Sequence, residues 1–180
     1  MIITISGRPG SGKTTVGRLL ANRLGYKFYS MGDLRGKMAM ERGLTIDELN
    51  ELGKKEAWTD RDADEYQAEL GSKEDNFVID GWMSWHFIPR SFKVLLEVDM
   101  NEGARRVFKD QRPDEDKVAT ISAMKKMLAK RVADSAARYR KYYGIENVFA
   151  SGHYDIVIDT TSITAEQAAK KVLEAVKHAS

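Results

Sequence analysis

Apolar residues in this chain recur at two spacings, and the switching between them predicts the order of its elements. Residues 2–6 (IITIS) form a short β-rich run ended by Gly7, the pattern of a buried parallel strand. Beyond a glycine-rich turn, Val16, Leu19, Leu20 and Leu24 repeat at helical spacing until Gly25 stops the helix. Residues 26–30 (YKFYS) read as a second strand. Polar-rich helices follow over 33–42, 45–57 and 60–71, punctuated by Gly43, the WTD at 58–60 and Gly71. Strands are next expected at 76–80 (NFVID), 92–98 (FKVLLEV) and 154–159 (YDIVID), with helices over about 101–111, 119–143 and from about 164. In the long helix Ile121, Met124, Leu128, Val132, Tyr139 and Tyr143 form the apolar stripe, and Gly144 ends it; in the last, Ala168, Val172, Leu173 and Val176 point inward. Strand and helix alternate, so the fold class is α/β, with a mostly parallel five-stranded sheet between two helical layers.

At 180 residues one core is expected, in a single domain over residues 1–180, with a helical flap at about 31–72 and a short lid at about 109–118. Lys plus Arg (29) nearly balance Asp plus Glu (27), so no nucleic-acid partner or membrane-docking face is indicated and a small molecule is expected instead. The absence of cysteine excludes disulfides, thiolate metal sites and a cysteine nucleophile. His86, His153 and His178 are too scattered to propose as metal ligands. The glycine turn arrives before any signal sequence could form, and no run approaches the ~20 apolar residues of a membrane span. The chain therefore reads as cytoplasmic, and as a monomer.

The turn itself, GRPGSGKT at 7–14, satisfies GxxxxGK[ST] where that pattern has meaning, between a strand and a helix. Gly7, Gly10 and Gly12 allow the main chain around Arg8, Pro9 and Ser11 to curl its N–H groups onto phosphate oxygens, and the helix N-terminus adds its positive dipole end. Lys13 would meet the β- and γ-phosphates, Thr14 would join a Mg²⁺ shell, and Thr15 continues the helix start. ATP with Mg²⁺ is the ligand this predicts. Asp80, ending a buried strand, is either the acidic partner of that Mg²⁺ water shell or a turn cap.

Beyond the loop, the chain resembles the nucleoside monophosphate kinases, most closely the short cytidylate kinases of archaea and some bacteria. The resemblance spans nearly the whole chain and is carried by ITISGRPGSGKTT, SMGDLRGKMAMERGLTIDEL, DRDADEYQ (60–67), VIDGWMSW (78–85) and RVADSAARYRKYYGI (131–145). It implies that the segment holding Asp33 and Arg35, together with Asp60, Arg61, Asp64 and Gln67, binds the acceptor nucleotide, with Gly81, Trp82 and Ser135 completing that side. Asp60, Asp64 and Gln67 fall at i, i+4 and i+7 on one helical face, where they would read a base or ribose edge or form a solvated, capped helix. Two departures concern the acceptor phosphate: the family usually has arginine where this chain has Gly36 and Trp82. Arg35 or Lys37 would replace one, while Trp82 with Trp85 would stack on a base or pack the flap.

Arg131, Ser135 and Arg138 repeat the same spacing on the long helix. By the resemblance these arginines contact the transferring and acceptor phosphates; pairing with acids such as Asp134 is the structural alternative. Arg105 or Arg106 resembles the residue lying against the donor adenine, and Arg112 stands at the lid edge. The expected reaction is transfer of the ATP γ-phosphate to CMP or dCMP. A kinase of another acceptor, such as AMP or an alcohol served by Asp33 or Asp80 as base, and a non-catalytic ATP-binding module are the alternatives.

Overall fold

The computed structural model describes the chain except for residues 54, 57, 112–116 and 180. Arg112 and the middle of the expected lid therefore lie outside the described residues. The elements run β1 (Ile2–Gly7), α1 (Lys13–Leu24), β2 (Lys27–Ser30), α2 (Met31–Met40), α3 (Ile46–Gly53), α4 (Trp58–Lys73), β3 (Phe77–Asp80), α5 (Ser84–Phe87), β4 (Phe92–Glu97), α6 (Met100–Lys109), α7 (Ile121–Tyr143), β5 (Ile156–Asp159) and α8 (Ala165–Ala179). A 3₁₀ turn at Ser151–His153 precedes β5. Sequence periodicity does not predict α5 or that turn, because each is too short to show a helical repeat.

The strands order as β2-β3-β1-β4-β5, and all four pairings are parallel. Alternate residues build the two faces. Ile3, Ile5, Val78, Val94, Leu96 and Ile158 meet Val16 and Leu20 of α1 and Val172 of α8. On the opposite face Ile2, Phe77 and Ile79 pack with Met31, Ala63 and Leu70 from α2 and α4, and Leu95 packs with Met83, Val148 and Phe149. Each such aliphatic or aromatic side chain contributes roughly 1.5–3 kcal/mol when fully buried. Helices thus cover both faces of the sheet. On α7 the apolar stripe is buried at Met124 and Leu128, but Ile121, in the first turn, is 44 % exposed.

Three caps set helix starts near the future site. Ser30 Oγ accepts from the Asp33 N–H, so α2 begins at Met31, two residues earlier than the pattern predicts. Asp99 accepts from the N–H groups of Asn101 and Glu102, and Thr120 from that of Ala123. The strand order reverses direction at β1, with β3 on one side and β4 on the other, which opens a crevice beyond the carboxyl ends of these strands. The glycine turn leaves β1 at that crevice.

Candidate active site

One cavity of about 590 Å³ occupies the crevice, lined among others by Gly12, Lys13 and Thr14 at the loop and by residues of α2, α4 and α7. At the loop, Gly10 and Gly12 have φ of +78° and +86°, a region in which a side chain is strained. A Cβ on Gly10 would lie 2.3 Å from the Gly103 carbonyl oxygen, so the loop rests directly on the start of α6. Arg106 secures the same contact: its guanidinium donates to the carbonyls of Gly10, Thr160 and Thr161. Thr160 Oγ1 donates in turn to the Ser11 carbonyl at 3.0 Å. Lys13 Nζ reaches back to the Arg8 carbonyl at 3.1 Å.

Beside the loop, Thr14 Oγ1 donates to Asp80 Oδ2 at 2.6 Å and Ser30 Oγ to Asp80 Oδ1 at 2.8 Å. Burial pushes the Asp80 carboxyl up, and the Thr14 and Ser30 hydrogen bonds and the nearby Lys13 charge oppose that rise. These are hard oxygen donors, the kind a magnesium ion takes. Among the described residues no group of three or more His, Cys, Asp or Glu side chains is placed to hold a metal by itself.

At the middle of the cavity two guanidiniums meet over one carboxylate. Arg35 donates to Asp60 Oδ1 at 2.6 Å, Arg138 Nε donates to Asp60 Oδ2 at 2.9 Å, and both arginines also donate to Asn50 Oδ1, at 3.1 and 3.3 Å. The Asp60 and Arg138 side chains are only 7 % and 4 % exposed. Two cations sharing one anion leave one positive charge over in a site largely withdrawn from water, which favours a bound anion. Arg131, on the same face of α7, pairs with Asp47 of α3 at 3.1 Å and also lines the cavity.

The far end is a smaller polar cluster. The Tyr143 hydroxyl donates to Asp64 Oδ2, Gln67 Nε2 donates to Asp64 Oδ1 at 3.1 Å, and Ser84 Oγ donates to Gln67 Oε1 at 2.8 Å. Burial raises the Asp64 carboxyl to about 6, against the hydrogen bonds from Tyr143 and Gln67. Trp82, Tyr139, Met31 and Ala63 provide apolar walls.

The predicted residues are therefore sorted by the fold. Pro9, Gly10, Gly12, Lys13, Thr14, Thr15, Arg35, Asp60, Asp64, Gln67, Asp80, Gly81, Trp82, Arg106, Arg131, Ser135 and Arg138 line the cavity. Others point elsewhere: Arg8 lies over the Phe149 ring at 5.1 Å, Arg61 pairs with Glu65, Arg105 with Glu102, and Asp33 with Arg18. Arg61 and Arg105 are one helical step, about 100°, away from the residues that face inward. Asp60 engages arginines rather than standing ready for a base edge. Lys37 pairs with Glu41 on the surface, so of the two expected substitutes only Arg35 lines the cavity. Trp82 packs edge-on to Phe149 and still lines the cavity, whereas Trp85 stacks on His153 at 4.2 Å.

Sequence reasoning missed Asn50, Asp47, Ser30, Tyr143, Ser84 and Gly103. For Asn50 a signal existed: Ile46, Leu49, Asn50 and Gly53 form the buried face of α3, and an asparagine on such a face requires partners. Ser30 also had a local signal as the N-cap of α2, whereas the rest are joined across the chain and leave no local trace.

A family model described as the cytidylate kinase-like family matches residues 2–162. The chain belongs to that family. With its cytidylate kinase relatives, that membership supports an ATP-dependent kinase, built on the parallel α/β fold described above. Relatives include a cytidylate kinase of Archaeoglobus fulgidus, 33% identical over 178 residues, covering 98% of this chain and 95% of that protein. An S-adenosylmethionine-dependent nucleotide dehydratase of Lacinutrix mariniflava is 37% identical over 175 residues, 96% of this chain; the chain spans only 35% of that relative's length. A shikimate kinase structure from Bacteroides thetaiotaomicron superposes with a TM-score of 0.67 at 18% identity, covering 98% of each chain, and shares the fold.

Proposed function

We propose that this protein transfers the γ-phosphate of ATP to a pyrimidine nucleoside monophosphate, CMP or dCMP, giving the diphosphate. The observation that carries the reading is the convergence of Lys13, Arg35, Arg131 and Arg138 on one cavity with the glycine turn at its mouth. The turn and the start of α1 would hold the triphosphate. The excess charge of the Arg35–Asp60–Arg138 group would hold the acceptor phosphate, and Arg131 would follow the charge spreading over the equatorial oxygens during transfer. Thr14 and Asp80 fit a magnesium ion whose remaining ligands come from phosphate and water; the ion would neutralise developing charge.

An acceptor phosphate is already anionic and needs no strong base. An alcohol acceptor would need one; of the two carboxylates expected for that role, Asp80 has both oxygens engaged by Thr14 and Ser30, and Asp33 pairs with Arg18 outside the cavity lining. This favours the nucleotide reading. The helical segment α2–α4 then acts as the acceptor flap of one kinase domain, and the residues after α6 as its lid.

The test is a panel of nucleoside monophosphates with Mg·ATP, read as diphosphate formed. CMP or dCMP should be turned over fastest, and Lys13→Ala should lose at least about 10³-fold in rate with an unchanged circular dichroism spectrum. No diphosphate from any monophosphate, or near-normal turnover by the variant, overturns the reading.

A further inference from the structure

We propose that Arg106 and Thr160 are positioning residues that brace the glycine turn by its carbonyls, and so set its affinity for a phosphate chain whatever base that chain carries. The inference rests on the reading of the turn as the triphosphate site. It gives Arg106 a part other than contact with the donor base.

A turn rich in glycine is pliable, and one that must order itself around a ligand loses affinity to that ordering. A restraint from outside therefore strengthens binding. Here the restraint acts on the carbonyl side. A trans peptide unit is planar, with its C=O and N–H pointing in opposite directions, so fixing the oxygen of one residue aims the N–H of the next. The Ser11 carbonyl accepts from Thr160 Oγ1 at 3.0 Å, which turns the Gly12 N–H away from Thr160. Gly12 lines the cavity and Thr160 lies outside that lining. The Gly10 carbonyl accepts from Arg106 at 3.3 Å, and the N–H of that same peptide unit, on Ser11, donates to the Arg8 carbonyl at 3.2 Å. Successive peptide planes of the turn are thus fixed, the first of them at both ends.

The guanidinium of Arg106 is occupied by this chain. Its Nε donates to Glu102 Oε1 at 2.7 Å, its Nη1 to the Gly10 carbonyl, and its Nη2 to the carbonyls of Thr160 and Thr161 at 2.9 and 3.1 Å. One planar cation therefore joins the turn after β1 to the turn after β5, and without it backbone oxygens from both would face one another unpaired. Thr160 adds a second tie between the same turns, 149 residues apart along the chain. Its side chain is itself held, because Oγ1 also reaches the Glu97 carbonyl at the end of β4, at 2.9 Å, and the residue is only 3 % exposed. Lysine could not replace the arginine: a compact ammonium keeps the charge and loses the fork that spans both turns.

The experiment is calorimetric titration of ATP and of base-free tripolyphosphate, each with Mg²⁺, into the wild type, Arg106→Met, Arg106→Lys and Thr160→Val, with circular dichroism to show that each is folded at the titration temperature. Arg106→Met should weaken both ligands by about 10-fold or more, and Arg106→Lys and Thr160→Val by about 3-fold or more. A loss confined to ATP would make Arg106 a base contact, and wild-type affinity in Arg106→Lys would show that its charge alone matters; either refutes the brace. So does a lowered melting temperature with unchanged affinity, the mark of a merely structural part. If the Arg106 variants fail to fold, Thr160→Val decides, weaker tripolyphosphate binding supporting the brace and unchanged binding refuting it. If the wild type binds neither ligand, the brace and the ATP reading fall together. If it binds both and phosphorylates no monophosphate, the kinase reading alone fails, and the same titrations still judge the brace.

Discussion

Replacing Asp60 by asparagine tests the arrangement proposed to hold the acceptor phosphate. Asp60 is the carboxylate shared by Arg35 and Arg138, at 2.6 and 2.9 Å, with a side chain only 7 % exposed. Removing one partner of a buried ion pair costs about 3–5 kcal/mol, because the remaining charge stays desolvated. Asparagine keeps one accepting oxygen and Asn50 still bridges the two guanidiniums, so the expected loss lies near the lower bound, about 3 kcal/mol. In a protein of this size that lowers Tm by roughly 6–12 °C. Catalysis should respond differently from binding. The cationic excess grows, so KM for CMP should change by less than about 5-fold, whereas unfixed guanidiniums misplace the phosphoryl group and kcat should fall about 10²-fold. Differential scanning calorimetry and steady-state kinetics give both numbers. A stability loss under about 1 kcal/mol, or a pure KM effect with unchanged kcat, would refute the assignment of Asp60 as the shared counter-charge.

Three further outcomes are expected. Arg131→Ala should lower kcat by up to about 10³-fold and raise KM for the acceptor far less, since its contact strengthens as the phosphoryl group moves; steady-state kinetics showing the reverse would make it a binding group only. Gly10→Ala forces a Cβ to within 2.3 Å of the Gly103 carbonyl at φ +78°, so it should weaken ATP-analogue binding at least 10-fold by calorimetry, and unchanged affinity would show the loop free to shift. Asp64 supplies a pH dependence. Its folded carboxyl, raised by burial and by Asp60 against Tyr143, Arg35 and Gln67, stands at about 6 rather than 3.8, so the native state binds more protons than the unfolded chain between those values. The Asp64 contribution to stability should therefore decline by about 3 kcal/mol as pH rises through that window, read by chemical denaturation as the difference between the wild type and Asp64→Asn; a difference that does not change with pH would refute it.

Helical spacing makes one half of this site legible in the sequence itself. Arg131, Ser135 and Arg138 face one cavity, as their i, i+4, i+7 spacing requires, and so do Asp60, Asp64 and Gln67. The strand–turn–helix frame is equally legible, because Gly10 and Gly12 occupy positions where other residues are strained. Partners are not. Periodicity says which way a side chain points within its own helix and nothing about what meets it. Arg138 finds Asp60, 78 residues earlier, and Tyr143 finds Asp64, 79 residues earlier. Arg105 and Arg106 show the limit of resolution: adjacent in sequence, both pair with Glu102, and Arg106 also donates to the Gly10 carbonyl of the glycine turn. Trp82 is ambiguous for a different reason, since a large aromatic at a cavity wall satisfies both packing and stacking.

The single helix α4 carries both Asp60 and Asp64, four residues and thus about 6 Å apart along its axis. That rigid interval works as a gauge for length. On the proposed reading an acceptor would span it with its phosphate at one mark and its base at the other, and a single residue inserted between 60 and 64 would turn one mark about 100° out of register with the other.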